Sequence, residues 1–447
     1  MPPPAGGPSL VRALGVRALA ATTFNVIIGG GIFLLPATIA GTLGAAAPLA
    51  YLVCIVAIAL IVLCFAEAGS RVSMTGGPYA YVEVALGPFV GFLGGVLLWL
   101  LMSFATAAVA NGFAASLAAL WAPLGSPPAR ALIIAALFAV LAATNIRGVG
   151  SGVRLIEMVT VAKLVPLLVF VAVGVFFVRP AHLAWPGMPN GKTLGQAVIV
   201  LIFAFAGMES ALVPSGEVRD PSRTVPRALA IAAVGVTALY VALQLVAQGI
   251  LGPRLASPES AAAPLASALG SAVGRWGALL MIAGAAISTF GHVSGMTLAT
   301  PRALYAFGRD GFLPRALAHI HPRYRTPYIA IVTQSVIAAL MAVTGTFINL
   351  VILADAAVLV LYFLCCVAAW KLRHDDVRID GAAGFNAPGG GIVPWLACAV
   401  IVWILWSTPP RHLAAVAAVM LAAAVLFGLT APTRRAKAAD LTTANHD

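Results

Sequence analysis

Long apolar segments, separated by short stretches rich in glycine, proline and basic residues, run along nearly the whole chain. Twelve such segments can be traced, at residues 14–40, 44–66, 88–121, 129–146, 153–178, 194–215, 226–250, 271–306, 327–344, 347–371, 391–407 and 412–430. An α-helix rises about 1.5 Å per residue, so most of them are long enough to cross the ~30 Å hydrocarbon core of a bilayer. The pattern predicts an all-α membrane protein with about twelve transmembrane helices.

The composition supports a single membrane-embedded domain. Of the 447 residues, 61% are hydrophobic and 9% are charged, whereas soluble proteins carry roughly 25% charged residues. The segments fill residues 14–431, which leaves short tails at 1–13 and 432–447, both predicted to lie in the cytoplasm. No charge-rich stretch is long enough to form a separate soluble domain.

The basic residues predict the orientation of the chain in the membrane. With an even number of spans and the N-terminus inside, inner loops and tails hold 19 of the 26 lysines and arginines, and outer loops hold 6. This asymmetry predicts that both termini are cytoplasmic and that the membrane is the cell membrane. The formal charge of +12 therefore reflects membrane orientation, and we expect no nucleic-acid partner.

Cysteine spacing gives no sign of a metal site or of disulfide bonds. All five cysteines fall within or beside apolar segments, where a thiol packs as a small apolar group; they are Cys54, Cys64, Cys365, Cys366 and Cys398. No spacing typical of metal ligands occurs, and we expect no metal and no cofactor.

Three consecutive glycines, Gly29, Gly30 and Gly31, interrupt the first apolar segment. Each costs about 1 kcal/mol relative to alanine in a helix interior. A broken helix in a membrane is tolerated where it is buried in protein or lines a cavity, and its free ends can then bind a charged ligand. The alternative is that the glycines allow close helix–helix packing.

A second interruption is predicted in segment six, where Glu209 follows Gly207 by two positions. Segments one and six are five apart, and broken helices at matching positions indicate a repeat with a binding site near the middle of the membrane. The prediction is a five-plus-five inverted repeat, with repeats at about 14–178 and 194–371 and two further helices at about 391–430. Helices 1 and 6 are the broken ones.

In the order and spacing of several motifs, the chain resembles the amino acid–polyamine–organocation (APC) transporters. The resemblance covers nearly the whole sequence and rests on IGGGIFLLP at 28–36, GGPYAY at 76–81, FAGME at 205–209, DPSRTVP at 220–226 and RDGFLP at 309–314. One departure is Gly30, because the family often has a serine at this position. The resemblance implies the APC fold and an amino acid substrate.

The resemblance also implies a binding site formed by the two breaks. The substrate carboxylate would meet backbone N–H groups of the Gly29–Gly31 stretch, chiefly those of Gly30 and Gly31. Its ammonium would meet backbone carbonyls near Ile27, Phe203 and Ala206, and Gly207 belongs to the same predicted substrate site. The polarity of half-helix ends agrees with this assignment, since free N–H groups favour anions and free carbonyls favour cations. Residues aligned with family selectivity positions, for which core packing is the alternative, are Ser103, Thr106, Phe205, Met296 and the neighbourhood of Asp355.

Lys163 is the one lysine inside an apolar segment. Ionisable residues within a membrane are costly and usually functional. In sodium-independent relatives a lysine in segment five stands where sodium binds in others, so the resemblance implies that Lys163 replaces sodium. A buried ammonium gives up its proton more readily than an exposed one, so Lys163 is also a candidate carrier of a coupling proton. The alternative is a structural pair with Glu157, which lies six positions away on a poorly matched helical face.

Glu209 and Asp355 complete the candidate ion and coupling residues. Glu209 is shared by family members with different substrates, so it carries little information about the substrate. Asp355 lies in the middle of segment ten and has three interpretations: a subsite for a cationic side chain, a proton carrier, or the partner of a buried arginine or histidine such as His292.

The sequence thus predicts a secondary active amino acid transporter that works by alternating access. It would be sodium-independent, coupled either to proton symport or to amino acid exchange, and would favour neutral amino acids. Its partners would be the amino acid, protons and the lipid bilayer, while the oligomeric state stays open. The alternative within the class is a cationic amino acid or polyamine antiporter, and outside the class a transporter-like nutrient sensor. A membrane enzyme is disfavoured because no catalytic constellation occurs in the segments.

Overall fold

The computed structural model of the protein describes residues 15–72, 77–147, 152–185, 187–212, 218–378 and 384–431, and leaves undescribed the side chains of residues 25, 152–161, 210 and 211 within them. The predicted tails, residue 76 of the second motif and the side chain of Glu157 lie outside the described part.

The described residues form a helical bundle. In chain order its helices are α1 Val16–Ile27, α2 Gly31–Leu43, α3 Ala47–Arg71, α4 Pro78–Leu86, α5 Pro88–Leu120, α6 Pro127–Arg147, α7 Gly152–Gly174, α8 Gly191–Phe205, α9 Met208–Ala211, α10 Pro221–Leu251, α11 Pro258–Ala261, α12 Pro264–Val273, α13 Arg275–Ala299, α14 Pro301–Arg309, α15 Tyr328–Thr344, α16 Phe347–His374, α17 Ile392–Trp406 and α18 Pro410–Leu429.

Several of these helices have the length and apolar composition of membrane spans. Within the described residues seven stretches qualify, namely Gly31–Arg71, Pro88–Leu120, Pro127–Arg147, Pro221–Ala256, Arg275–Arg309, Phe347–His374 and Pro410–Leu429. Five further apolar helical stretches are shorter, with 10–17 residues each. The protein is a multi-pass membrane protein, while the count of twelve spans and the inverted repeat stay predictions.

Glycines with positive φ separate helices at two places that bear on the predicted segments. Gly44, with φ +55°, ends α2 and begins the tight turn into α3, so Gly31–Arg71 is a pair of helices. Gly274, with φ +85°, separates α12 from α13. Only glycine adopts this backbone conformation readily. Helix α13, which corresponds to the eighth predicted segment, therefore begins at Arg275, a few residues after the predicted start at residue 271.

The long helices α5 and α16 pack against each other, and α5 also contacts α13, α15 and α18. Small residues along α5 permit this close packing. At Gly112, for instance, a Cβ atom would lie 2.9 Å from Cδ1 of Leu34 on α2. The broken first helix is thereby held directly against the centre of the bundle.

Arg130 fastens α6 to the end of α15 and to α5. Its Nη2 atom donates to the carbonyls of Ala342 at 3.1 Å and Gly345 at 2.9 Å, and its Nε donates to Asn111 Oδ1 at 3.0 Å. The last carbonyls of a helix lack intrahelical partners, so this guanidinium satisfies groups that burial would otherwise leave unpaired.

At the other end of the bundle a buried ionic cluster joins α3, α16 and the segment before α17. Glu67 accepts hydrogen bonds from Arg71 at 3.5 Å, from Arg373 at 3.4 Å and from the backbone N–H of Ala387 at 3.2 Å. Arg71 also donates to Asn386 Oδ1 at 2.7 Å. Glu67 is only 1% exposed, so losing both arginines would leave a buried charge uncompensated.

Candidate functional site

The first helix is broken between Ile27, where α1 ends, and Gly31, where α2 begins. Each glycine of the break lies against a neighbouring side chain. A Cβ atom would approach His292 Nδ1 to 3.1 Å at Gly29 and the Phe203 ring to 2.9 Å at Gly31. Close approach of these side chains therefore favours glycine in the break.

The surroundings of Gly30 explain why this chain has glycine where similar sequences often have serine. A Cβ atom at position 30 would lie 2.5 Å from Thr289 Cγ2 and 3.2 Å from Val109 Cγ1. The methyl group of Thr289 occupies the space that a serine side chain would need. The absence of a serine hydroxyl at position 30 thus depends on Thr289, which lies 259 positions further along the chain.

The carbonyl of Ile27 at the end of α1 is already hydrogen-bonded within the protein. It accepts from the Gly29 N–H at 2.8 Å and from the Tyr240 hydroxyl of α10 at 3.2 Å. A carbonyl oxygen has two acceptor positions, and both are occupied. A substrate ammonium that binds this group must replace one of these donors or share the oxygen with them.

The next two carbonyls of the break are bonded by side chains from two other helices. Lys163 Nζ on α7 donates to the Ile28 carbonyl at 2.7 Å, and Ser288 Oγ on α13 donates to the Gly29 carbonyl at 3.2 Å. Lys163 is only 6% exposed. Its side-chain nitrogen therefore lies directly against the first break.

The other side of the break presents N–H groups. Helix α2 begins at Gly31, and the Phe33 N–H donates to the carbonyl of Gly30, the residue before the helix, at 3.2 Å. The N–H groups of Gly30 and Gly31 precede this bond and lie at the positive end of the helix dipole. This end has the chemistry to bind a carboxylate.

The second break lies between Phe205, where α8 ends, and Met208, where α9 begins. Gly207 has φ +124°, and a Cβ atom there would lie 3.2 Å from the backbone C and O atoms of Val26. The second break thus packs directly on the end of α1. The last carbonyls of α8 lack the intrahelical partners that a continuing helix would supply.

The two breaks share one small cavity of about 30 Å³, which is room for one or two water molecules. Predicted site residues from both breaks and from α13 line it: Ile27, Gly29, Gly30, Gly31, Phe203, Ala206, Gly207, Glu209 and Met296. The structure therefore brings most of the predicted site together.

The other predicted residues do not line this cavity. Ser103 Oγ donates to the Trp99 carbonyl at 2.8 Å and accepts from Gln334 Nε2 at 2.9 Å, while Thr106 Oγ1 donates to the carbonyl one turn earlier in its own helix at 2.6 Å. Phe205 packs edge-on against Tyr240, with ring centroids 5.2 Å apart. Helix α5 instead presents to the cavity Leu101, Ala105 and Val109.

Glu209 and Asp355 form a buried acidic pair behind the second break. Glu209, 2% exposed, accepts a hydrogen bond from the Tyr362 hydroxyl at 2.7 Å. Asp355 is fully buried, and neither of its carboxylate oxygens has a hydrogen-bond partner among the described residues. It interacts electrostatically with the Glu209 carboxylate and the Phe203 backbone; within the same residues it forms no ion pair with His292.

His292 is a cavity residue that the sequence interpretation did not place in the substrate site. It lines the cavity on α13, one turn before Met296. The available signal was its ionisable ring inside an apolar segment, which is usually functional in a membrane protein. No group of three or more histidine, cysteine or acidic side chains in the described part of the chain is placed to hold a metal ion.

Comparison with known proteins identifies similar sequences that are all membrane transporters or permeases. The sequence profile of a family described as amino acid permease matches residues 14–431. The chain is 29% identical to the methylthioribose transporter of Bacillus subtilis over 420 residues, which cover 90% of this chain and 89% of that protein. It is 27% identical to the branched-chain amino acid permease of the same organism over 429 residues, 91% of each chain. It is 28% identical to the serine/threonine exchanger of B. subtilis over 409 residues, 89% of this chain and 91% of that protein.

Proposed function

The chain belongs to the amino acid permease family, and we propose that it is a secondary active amino acid transporter that works by alternating access. It is a transporter and not an enzyme. The observation that carries the proposal is that the two helix breaks, at Ile28–Gly30 and at Ala206–Gly207, face one cavity. Broken helices that meet in the middle of a membrane protein are the usual binding site of such carriers.

The substrate's α-carboxylate would bind to the N–H groups of Gly30 and Gly31 at the start of α2. Its α-ammonium would bind to carbonyls at the end of α8, with Phe203 and Ala206 as the nearest choices because both line the cavity. The Ile27 carbonyl also lines it but already accepts two protein hydrogen bonds. This arrangement recognises the part that all amino acids share.

Substrate binding requires the site to enlarge. A cavity of about 30 Å³ holds water but not an amino acid. Two walls are formed by half-helices, α1 with α2 and α8 with α9, whose hinges contain glycine. Movement of these halves is the simplest way to open the cavity to one side of the membrane and then to the other, as alternating access demands.

We expect transport to be independent of sodium. The ammonium of Lys163 already donates to the Ile28 carbonyl at 2.7 Å, which is the kind of oxygen that a sodium ion would need. Two forms of coupling remain candidates, proton symport and exchange for a second amino acid. They differ in whether accumulation requires a pH gradient or an internal substrate.

The lining of the cavity suits neutral amino acids best. Beyond the backbone of the breaks its walls are mainly apolar, with Leu101, Ala105 and Val109 from α5 and Met296 from α13. The second candidate is a cationic amino acid or polyamine antiporter, for which Glu209 would be the acidic group. Glu209 does line the cavity, but it is engaged with Tyr362.

The test is transport by the purified protein in liposomes. Labelled alanine, leucine, threonine, arginine and putrescine are offered with and without sodium, a pH gradient or internal amino acid. We expect uptake of neutral amino acids that sodium does not stimulate and that either a pH gradient or internal substrate drives. Uptake confined to arginine or putrescine would favour the second candidate, and the absence of uptake under every condition would contradict amino acid transport.

A further inference from the structure

His292 brings a hydrogen-bonding ring to a cavity wall that the broken helices do not form. Its Nε2 atom is shut off from solvent and has no hydrogen-bond partner among the described residues. Its Nδ1 atom lies 3.1 Å from the position that a Cβ on Gly29 would occupy. The glycine therefore makes room for the imidazole at the edge of the cavity.

The two polar neighbours of His292 on α13 are already satisfied. Ser288 Oγ donates to the Gly29 carbonyl at 3.2 Å. Thr289 Oγ1 donates to the carbonyl of Ala285 on its own helix at 2.7 Å and directs its methyl group at Gly30. Of the polar side chains that α13 brings to the first break, His292 is the one with a nitrogen left to bond.

The walls opposite the breaks are otherwise apolar. Helix α5 contributes Leu101, Ala105 and Val109, and α13 contributes Met296. If the breaks hold the α-carboxylate and α-ammonium, the substrate side chain faces these two helices. An aliphatic side chain would leave the buried imidazole nitrogen without a partner, and a buried polar group without a partner is unfavourable. A hydroxyl or amide group would supply the missing hydrogen bond.

We propose that His292 binds a hydrogen-bonding group on the substrate side chain, so that the protein prefers hydroxyl- or amide-bearing neutral amino acids to aliphatic ones of the same size. This inference rests on the proposed function and narrows its substrate class. Threonine and valine give the sharpest comparison, because they have nearly the same shape and differ in one hydroxyl group. A site that hydrogen-bonds a substrate hydroxyl discriminates strongly against the analogue that lacks it.

The experiment measures the dissociation constants of threonine and valine for the purified full-length protein and for variants at position 292. We expect the wild type to bind threonine at least about tenfold more tightly, which corresponds to ~1.4 kcal/mol. His292→Phe keeps a ring over Gly29 but removes both nitrogens. We expect the ratio of its valine and threonine dissociation constants to fall close to one. His292→Leu is a second apolar replacement in case the phenylalanine variant does not fold. His292→Gln should retain part of the preference.

The matched control is Met296→Leu, one turn away on the same wall, which alters shape without polarity and should shift both affinities in the same direction. An unchanged threonine-to-valine ratio in His292→Phe would overturn the inference. So would an equal loss of both ligands, since the ring would then bind the α-carboxylate or serve packing alone. Failure of the proposed function is distinguishable, because the wild type would then bind neither amino acid.

Discussion

Lys163 Nζ donates a hydrogen bond to the backbone carbonyl of Ile28 at 2.7 Å. The contact joins α7 to the first residue of the break between α1 and α2, 135 positions earlier in the chain. Beyond the end of α1 this carbonyl has no helical N–H to accept from, and in a membrane no water replaces it. The lysine therefore stabilises the broken conformation and places a titratable amine beside the site.

Replacing Lys163 by alanine should cripple transport without creating sodium dependence. The change leaves the Ile28 carbonyl unpaired, which costs about 1–3 kcal/mol in a buried position, and it leaves a space without the oxygen ligands that sodium requires. We expect uptake to fall at least tenfold in sodium and in choline buffers alike. Initial rates in liposomes, measured across pH 5–8, check both points.

Lys192→Ala is the matched control, because that lysine lies exposed near the start of α8. Wild-type transport by Lys163→Ala at every pH would remove the lysine from the mechanism. Restored transport that depends on sodium would contradict the expectation that the vacated space cannot hold the ion.

Serine at position 30 should be harmful in this protein and be rescued by a second change. A Cβ atom at Gly30 would meet Thr289 Cγ2 at 2.5 Å, so Gly30→Ser should displace α13 or α2 and weaken substrate binding. Thr289→Ala removes the methyl group. We expect the double variant to regain most of the binding that Gly30→Ser loses, giving a coupling of about 1–3 kcal/mol in a double-mutant cycle. Additive losses would show that the two positions do not compete for space.

Glycines indicated the two breaks in the sequence, because Gly30 in one apolar segment and Gly207 in another are unfavourable in an ordinary helix interior. Lys163 was likewise recognisable as an ionisable residue inside an apolar segment. Such features are local, and a single chain shows them directly. The breaks at both positions are confirmed, and family membership follows from the whole-length match.

The lining of the cavity was harder to predict, since it depends on how distant helices rotate about their axes. On α5 the segment pattern is apolar on every side, so nothing local distinguishes the face of Leu101 and Ala105, which lines the cavity, from the face of Ser103, which bonds to Gln334. The donor to the Ile27 carbonyl, Tyr240, lies 213 positions away. Neither contact can be predicted from the residue pattern of a single segment.

Both termini should lie in the cytoplasm, which the 19 to 6 distribution of basic residues predicts. A reporter fused after residue 447 and another inserted beside Lys192 should therefore report opposite sides of the membrane. Fusions of alkaline phosphatase and of a fluorescent protein at each position give independent readings. If both positions report the same side, the number of spans between them is even where seven are predicted, and the twelve-span topology is wrong.

Asp355 offers the sharpest test of coupling. Its carboxylate is fully buried without a hydrogen-bond partner in the described part of the chain, and it lies near the carboxylate of Glu209. An unpaired acid in this position is costly, so its presence points to a function. It does not line the cavity, which argues against a subsite for a cationic side chain, and it has no basic partner there. We therefore propose that Asp355 carries a proton.

We therefore expect Asp355→Asn to retain the substrate profile and exchange of internal for external amino acid, but to lose accumulation driven by a pH gradient. Thermal stability in detergent should stay the same or rise, since an amide is cheaper to bury than an unpaired carboxylate. Asp375→Asn, just beyond the end of the same helix and partly exposed, is the control and should change none of these. Selective loss of arginine or putrescine binding would instead identify a cationic subsite. A fall in stability with all substrates affected alike would mean that the carboxylate is structural.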